Sequence, residues 1–183
     1  MTYNAGQRVK AADLNQNSPQ LLGSTILAAP AASIPITIPP GFNHLHGIWT
    51  GRQDSGSGGA FCFLRLNGDA GNNYTFQKVY GSGAVTTSAN AGGGTNGIHI
   101  GVVPCSGDTA NYFGTGSFNV GNASSAVFKP VSGHFAGMVS ATNGYAGESG
   151  GIWVLTTVVT TVTLVPLSGN LVAGSSMSIY GWQ

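Results

Sequence analysis

Along most of this chain apolar and polar residues alternate with a period of two, the spacing at which successive side chains leave opposite faces of a strand. His44-Leu-His-Gly-Ile-Trp-Thr puts Leu45 on one face and His44, His46 and Ile48 on the other. Tyr74, Phe76, Lys78 and Tyr80 share one face of a later run, and Phe61-Cys-Phe-Leu-Arg-Leu is bulky on both faces, as a strand between two layers is. The plainest strand signal is Ile152–Val165, which holds no Gly, Pro or charge and is built from Val, Ile, Thr, Leu and Trp. Met177–Trp182 reads as a second strand, and both are expected inside the sheet, with Tyr180 and Trp182 buried on one face against the core or a neighbouring subunit. Shorter runs at Ser24–Ala28, Ile34–Ile38, Ile98–Val103, Tyr112–Val120, Val127–Phe128 and Gly133–Ser140 continue the pattern. Pro35 limits its run to an edge or a strand start.

Between the runs, Pro39-Pro40-Gly41, Asn67-Gly68-Asp69 and Asn143-Gly144 supply turn chemistry. Gly81–Gly97, in which Val85 is the single large residue, reads as a long loop. About eight to ten strands and no helix in the body predict an all-β fold. The expected architecture is a single jelly-roll-like β-sandwich over residues 23–183. Residues 1–22 differ in composition from the rest of the chain, and Ala11 to Pro19 has room for a short helix that ends before the proline. This segment reads as an arm for anchoring or oligomer contact, and a disordered tail fits the same composition.

Composition narrows the class. Only 6% of residues are charged and 30 are glycine, so the surface is polar but almost uncharged. The six basic residues run from Arg8 to Lys129 without a cluster, which argues against nucleic acid held through phosphates. A net charge of +1 gives a free monomer little colloidal protection and favours life inside an assembly. Cys62 and Cys105 are too few for a disulfide framework and lack zinc-site spacing, so they read as small buried hydrophobes. The first residues show no signal-peptide core and no window is long enough for a membrane span, so a soluble chain made in the cytoplasm is expected, with no membrane partner.

Four arrangements could carry chemistry. Gly147-Glu-Ser-Gly-Gly comes close to a serine-protease motif, and His44 or His46 followed by Asp54, Asp69 or Asp108 keeps the order of a triad. Its surroundings do not match, and a Gly-flanked serine is common in so glycine-rich a chain. His44 and His46 leave one face as a metal pair would, but interface or turn histidines are the better reading. Asp69 with nearby asparagines offers a calcium loop, for which one carboxylate is poor. Trp49, Tyr74, Tyr80, Trp153 and Trp182 could stack on sugars or could form core and subunit contacts. On these residues no catalytic, cofactor-binding or metal-ligating residue is assigned, no cofactor is expected, and the chain reads as a non-enzyme.

The stretch Leu64-Arg-Leu-Asn-Gly-Asp with Asn73-Tyr74, the ending Gly174-Ser-Ser-Met-Ser-Ile-Tyr-Gly and the opening Tyr3-Asn-Ala-Gly-Gln-Arg-Val-Lys resemble small tailed-bacteriophage virion proteins of minor tail or head-decoration type. Ile179 stands where leucine is commoner, and Trp182-Gln183 extends past the usual ending. The resemblance implies a jelly-roll structural protein of the virion, a homotrimer, attached to major capsid or tail proteins as capsid decoration or minor tail component. It carries no catalytic residue. The alternative is a carbohydrate-binding module that meets a host-surface glycan.

Overall fold

The computed structural model describes residues 18–83 and 85–183. Among these residues the chain forms twelve strands and no helix: β1 Gln20–Ile26, β2 Ile34–Thr37, β3 His44–Gly51, β4 Ala60–Leu66, β5 Tyr74–Ser82, β6 Val85–Thr95, β7 Ile98–Val103, β8 Gly114–Val120, β9 Lys129–Met138, β10 Gly144–Trp153, β11 Thr161–Pro166 and β12 Ser176–Trp182. They make an antiparallel sheet of eight strands, β1-β12-β3-β8-β9-β10-β5-β6, and one of four, β2-β11-β4-β7. When β2 to β7, β10 and β11 are counted as eight successive strands, the small sheet runs first, eighth, third, sixth. The large one runs second, seventh, fourth, fifth, which is jelly-roll order. The β8–β9 hairpin is inserted between the second and the seventh, and β12 with β1 widens the large sheet. The all-β sandwich expected from the alternation is therefore present, with four strands added.

Strand parity decides what lies between the sheets. Leu45, Gly47, Trp49 and Gly51 point inward from β3, and His44, His46 and Ile48 point outward, as the alternation predicts. From β12 the inward residues are Met177, Ile179 and Gly181. Tyr180 and Trp182 instead lie half-buried on the outer face, which overturns the core as their setting, one of the two settings expected. The register is the reason, because it pairs Tyr180 with His46 and Trp182 with His44, both outward positions. The inner layer is closed by large rings over glycines. Trp49 is fully buried, and a Cβ at Gly116 would stand 2.7 Å from its Cζ2. A Cβ at Gly101 would meet the same indole, and one at Gly47 the Phe118 ring, both inside van der Waals contact.

Four further expectations change. Ile152–Val165 is not one strand: β10 ends at Trp153 in the large sheet and β11 starts at Thr161 in the small one. The chain must cross between layers there, and no residue type in the run announces it. Gly81–Gly97 contains β6, whose backbone pairs along the edge of β5 from Tyr74 to Ser82. Val127 and Phe128 precede β9 in an exposed connection. β1 starts at Gln20, opposite Gly181, so Gln20–Leu22 belong to the sandwich. The short helix from Ala11 lies outside the described residues.

Because Gly47 faces the Phe118 ring, Gly47→Ala is expected to destabilise the fold by about 1–3 kcal/mol through overpacking. Denaturant unfolding checks this, with an unchanged midpoint as the contrary result.

Candidate functional site

The Leu-Arg-Leu-Asn-Gly-Asp stretch is a structural tie at one end of the sandwich. Asn67 and Gly68 both take positive φ, 54° and 66°, a turn that glycine makes without strain and that asparagine tolerates. Asp69 then accepts hydrogen bonds from the Gly71 backbone N–H (2.8 Å), the Asn73 amide (3.0 Å) and the Trp153 indole N–H (2.7 Å). Burial raises the Asp69 pKa, but the bonds from Trp153, Asn73 and Gly71 outweigh it and hold the carboxyl below its ordinary value. The Tyr74 hydroxyl donates toward the Leu66 and Asp69 carbonyls and accepts from the Leu66 N–H, and its ring stacks on Trp153 at 6.3 Å. Both oxygens of the carboxylate offered as a calcium ligand are thus engaged with the protein.

Asn67 carries the tie to the layer crossing. Its side-chain oxygen accepts from the Thr160 and Thr161 N–H groups at 2.7 and 3.2 Å, and its amide donates to the Val158 carbonyl at 2.8 Å. Val154, Leu155 and Val158 are exposed on the crossing segment. Val127 and Phe128 are exposed on the adjacent connection, since Lys129 pairs with Trp153 and the Val159 N–H bonds the Ala123 carbonyl. Lys129 beneath them is fully buried and donates to the Ser125 and Val127 carbonyls. The cation nearest these exposed apolar side chains is thus turned into the protein. β1 begins at the same end: Gln20 pairs with Gly181, Trp182 bonds Asn43, and Asn43 bonds Ala123. β1 thus enters the sandwich at the end that carries the patch.

The outer face of the large sheet holds the second arrangement. Register sets Tyr180, His46, Asn119, Ser132, Gly150 and Gln77 in one transverse row. In the next row His134 lies beside Glu148, with Nδ1 3.3 Å from the carboxylate, an exposed pair worth little in stability. His46 is joined to Asn119 at 2.9 Å. A groove of about 850 Å³ lies over Gly150, between β10 and β5. No motif in the sequence marks it, because its residues come from three strands and meet only through register.

The inner face holds a cluster of polar groups. Lys78 points inward with its ammonium 3.3 Å from the centre of the Phe61 ring, a cation–π contact, and no carboxylate lies against it among the described residues. Burial pushes its pKa down to about 8. His99, fully buried, sits 4.5 Å from the Phe61 ring and 5.9 Å from Phe76, with neither ring nitrogen bonded. Burial, then the charge on Lys78, push it down to about 3. Ser149 is buried on β10 opposite Lys78, and its hydroxyl is likewise unbonded.

This places the triad candidates. Ser149 faces inward, while His44 and His46 face outward on β3, with β8 and β9 between, roughly 14 Å away at sheet spacing. Asp108 accepts from the Gly58, Gly59 and Cys105 N–H groups, and Asp54 from Asn170. No Ser-His-Asp arrangement forms among the described residues. Cys62 and Cys105 are buried and unpaired. Trp49, Tyr74 and Trp153 are core residues, which leaves Tyr80 and Trp182 of the sugar-stacking set partly exposed.

The buried amine has a defined effect on stability. Between about 8 and its ordinary 10.5 the unfolded chain binds the Lys78 proton more tightly, so stability rises with pH across that window. Lys78→Met is expected to raise stability at pH 7 by about 1–3 kcal/mol and to flatten the alkaline rise. For His99 the window runs from 6.5 down to about 3: stability falls as pH falls, and His99→Leu should remove that loss. Thermal unfolding of the three proteins across pH reads both effects.

No family model matches the chain, and no curated protein matches it. Among solved structures, one is a GH43 glycoside hydrolase with an engineered active site, described as displaying both endo-xylanase and exo-arabinofuranosidase activity. The alignment covers 89% of this chain and 35% of that one, at 10% identity and a TM-score of 0.31. A likeness at that score carries no argument about fold or function.

Proposed function

We propose that this chain is a non-enzymatic structural protein of a bacteriophage virion, a capsid-decoration or minor tail component that docks through the end of the sandwich at which β1 enters. The observation that carries the reading is the exposed apolar patch of Val127, Phe128, Val154, Leu155 and Val158 beside that entry. Exposed apolar residues gathered at one end of a fold suit an interaction site. The Asn67–Asp69 tie, one of the stretches that carry the resemblance to virion proteins, bonds the crossing segment through Asn67. The occupant is another protein of the particle, the major capsid or tail subunit.

The use of charge supports the same reading. Arg52 donates to the Ser106, Asp108, Thr109 and Tyr112 carbonyls, Arg65 to the Asn96 carbonyl, and Lys129 to the two carbonyls beneath the patch. With the aspartates tied to backbone as well, little charge is left for the exterior. Such a surface suits packing against neighbours, in a homotrimer and in a particle, where many weak contacts add to stable attachment. The chain would be made in the host cytoplasm and end in the virion.

Removal of residues 1–17 leaves β1 whole, and together with Phe128→Ser and Leu155→Ser it separates arm from patch. Occupancy on purified particles is expected to fall at least about tenfold for the truncation and for the double variant, equivalent to about 1.4 kcal/mol or more. Normal occupancy in both rejects docking through this end. Light scattering at micromolar concentration should give the mass of a trimer, and a monomer would remove that part of the proposal.

A further inference from the structure

We infer that the groove over Gly150 on the outer face of the large sheet binds a neutral saccharide. This goes beyond docking at the patch and does not rest on it, since the groove lies on the broad face of the sheet.

The first observation is the glycine itself. Gly147 and Gly151 on the same strand leave room for the backbone of β5: a Cβ at Gly151 would stand 3.0 Å from the Phe76 Cβ. Gly150 has no such neighbour, since a Cβ there would meet only the Val131 carbonyl oxygen, at an ordinary 3.8 Å. Its φ is not among the positive values either. Neither backbone conformation nor packing requires a glycine at this position, and any larger residue would fill the groove.

The second observation is what surrounds the opening. Gln77 is the register partner of Gly150 on β5, and Ser88 and Glu148 also line the groove. Among the described residues Asp54, Asp69 and Asp108 all accept backbone N–H groups, whereas Glu148 meets only the exposed His134. Its Oε1 faces His134 Nδ1 at 3.3 Å, which leaves Oε2 to accept a hydroxyl; the amide of Gln77 can donate and accept, and Ser88 adds a hydroxyl. Val79 and Ile152, 46% and 41% exposed, supply apolar walls for the C–H faces of a sugar ring. Lys78 also lines the groove, but its ammonium is directed over the Phe61 ring on the inner face. A carboxylate without a lysine or arginine beside it favours uncharged hydroxyl-rich ligands over uronic, sulfated or phosphorylated ones. The volume, about 850 Å³, is within the range of small-molecule sites.

The test uses the full chain on an array of neutral oligosaccharides (glucans, galactans, mannans) and acidic ones (polyuronates, sulfated glycans), followed by calorimetric titration of the strongest. Binding to a neutral oligosaccharide and to no acidic one is expected. Gly150→Leu should abolish it with an unchanged thermal midpoint, and Gln77→Ala and Glu148→Gln should each weaken it about tenfold or more. If Gly150→Leu fails to fold, the other two variants decide. The inference is overturned if no neutral oligosaccharide binds or acidic ones bind better, or if these substitutions leave affinity unchanged. It is equally overturned if Gly150→Leu changes the oligomeric mass, which would make the groove a subunit contact. None of these outcomes depends on particle occupancy, so docking through the patch stands or falls separately.

Discussion

The rest of the sandwich depends on Trp49 fitting between glycines. Its indole is fully buried against Gly101 of β7 in the small sheet and Gly116 of β8 in the large one, and next to it Phe118 fills the space left by Gly47. Interiors pack at crystal density, so a single added methyl at such a contact must push the sheets apart or turn a ring out of its rotamer. Glycines in these inward positions weaken each strand locally, since they add backbone entropy and no packing surface. The two aromatic side chains restore that loss, because each buries a large apolar area only if the opposing strand has no side chain there. The high glycine content is in this part of the chain a packing device.

Once the inner face is set by that fit, the ends and the outer face are released from it. Period-two alternation sends every second residue outward, where neither Trp49 nor Phe118 constrains its size. The inner face also carries a cost: Lys78, His99 and Ser149 lie between the sheets, the last two without hydrogen-bond partners, and the rings of Phe61 and Phe76 surround the amine and the imidazole. Cation–π contact offsets part of the desolvation of the amine, and the lowered pKa of Lys78 records the part that remains.

The scarce charges act as internal ties. Arg52 gathers four carbonyls of the connection after β7, and Asp108 returns from that connection to the N–H groups of Gly58 and Gly59. Asp69 and Asn67 do the same at the opposite end and join the β4–β5 turn to the crossing between layers. Bonds of an ionised group to backbone are stronger than neutral ones, so a few such residues order long connections. The same economy leaves Glu148 as the carboxylate among the described residues that faces solvent without a backbone partner.

The sequence by itself determined the class of fold and most of its strands, because alternation and β-branched composition are local properties that read directly as a pleated surface. It also determined that His44 and His46 share one face of their strand, that Tyr74, Phe76 and Lys78 share one face of theirs, and the turn at Asn67-Gly68. Only the tertiary structure decided where strands change layers. Val154–Thr160 has the composition of a strand and is a crossing, held by side-chain bonds from Asn67, 91 residues before Val158 and 93 before Thr160. It decided that β6 is a strand, since small polar residues carry no signal of the edge they pair with. Register placed Tyr180 and Trp182 outside and brought Gln77, Ser88, Glu148 and Gly150 into one groove. Sequence periodicity gives the parity within a strand, and only pairing between strands sets which residues of different strands meet.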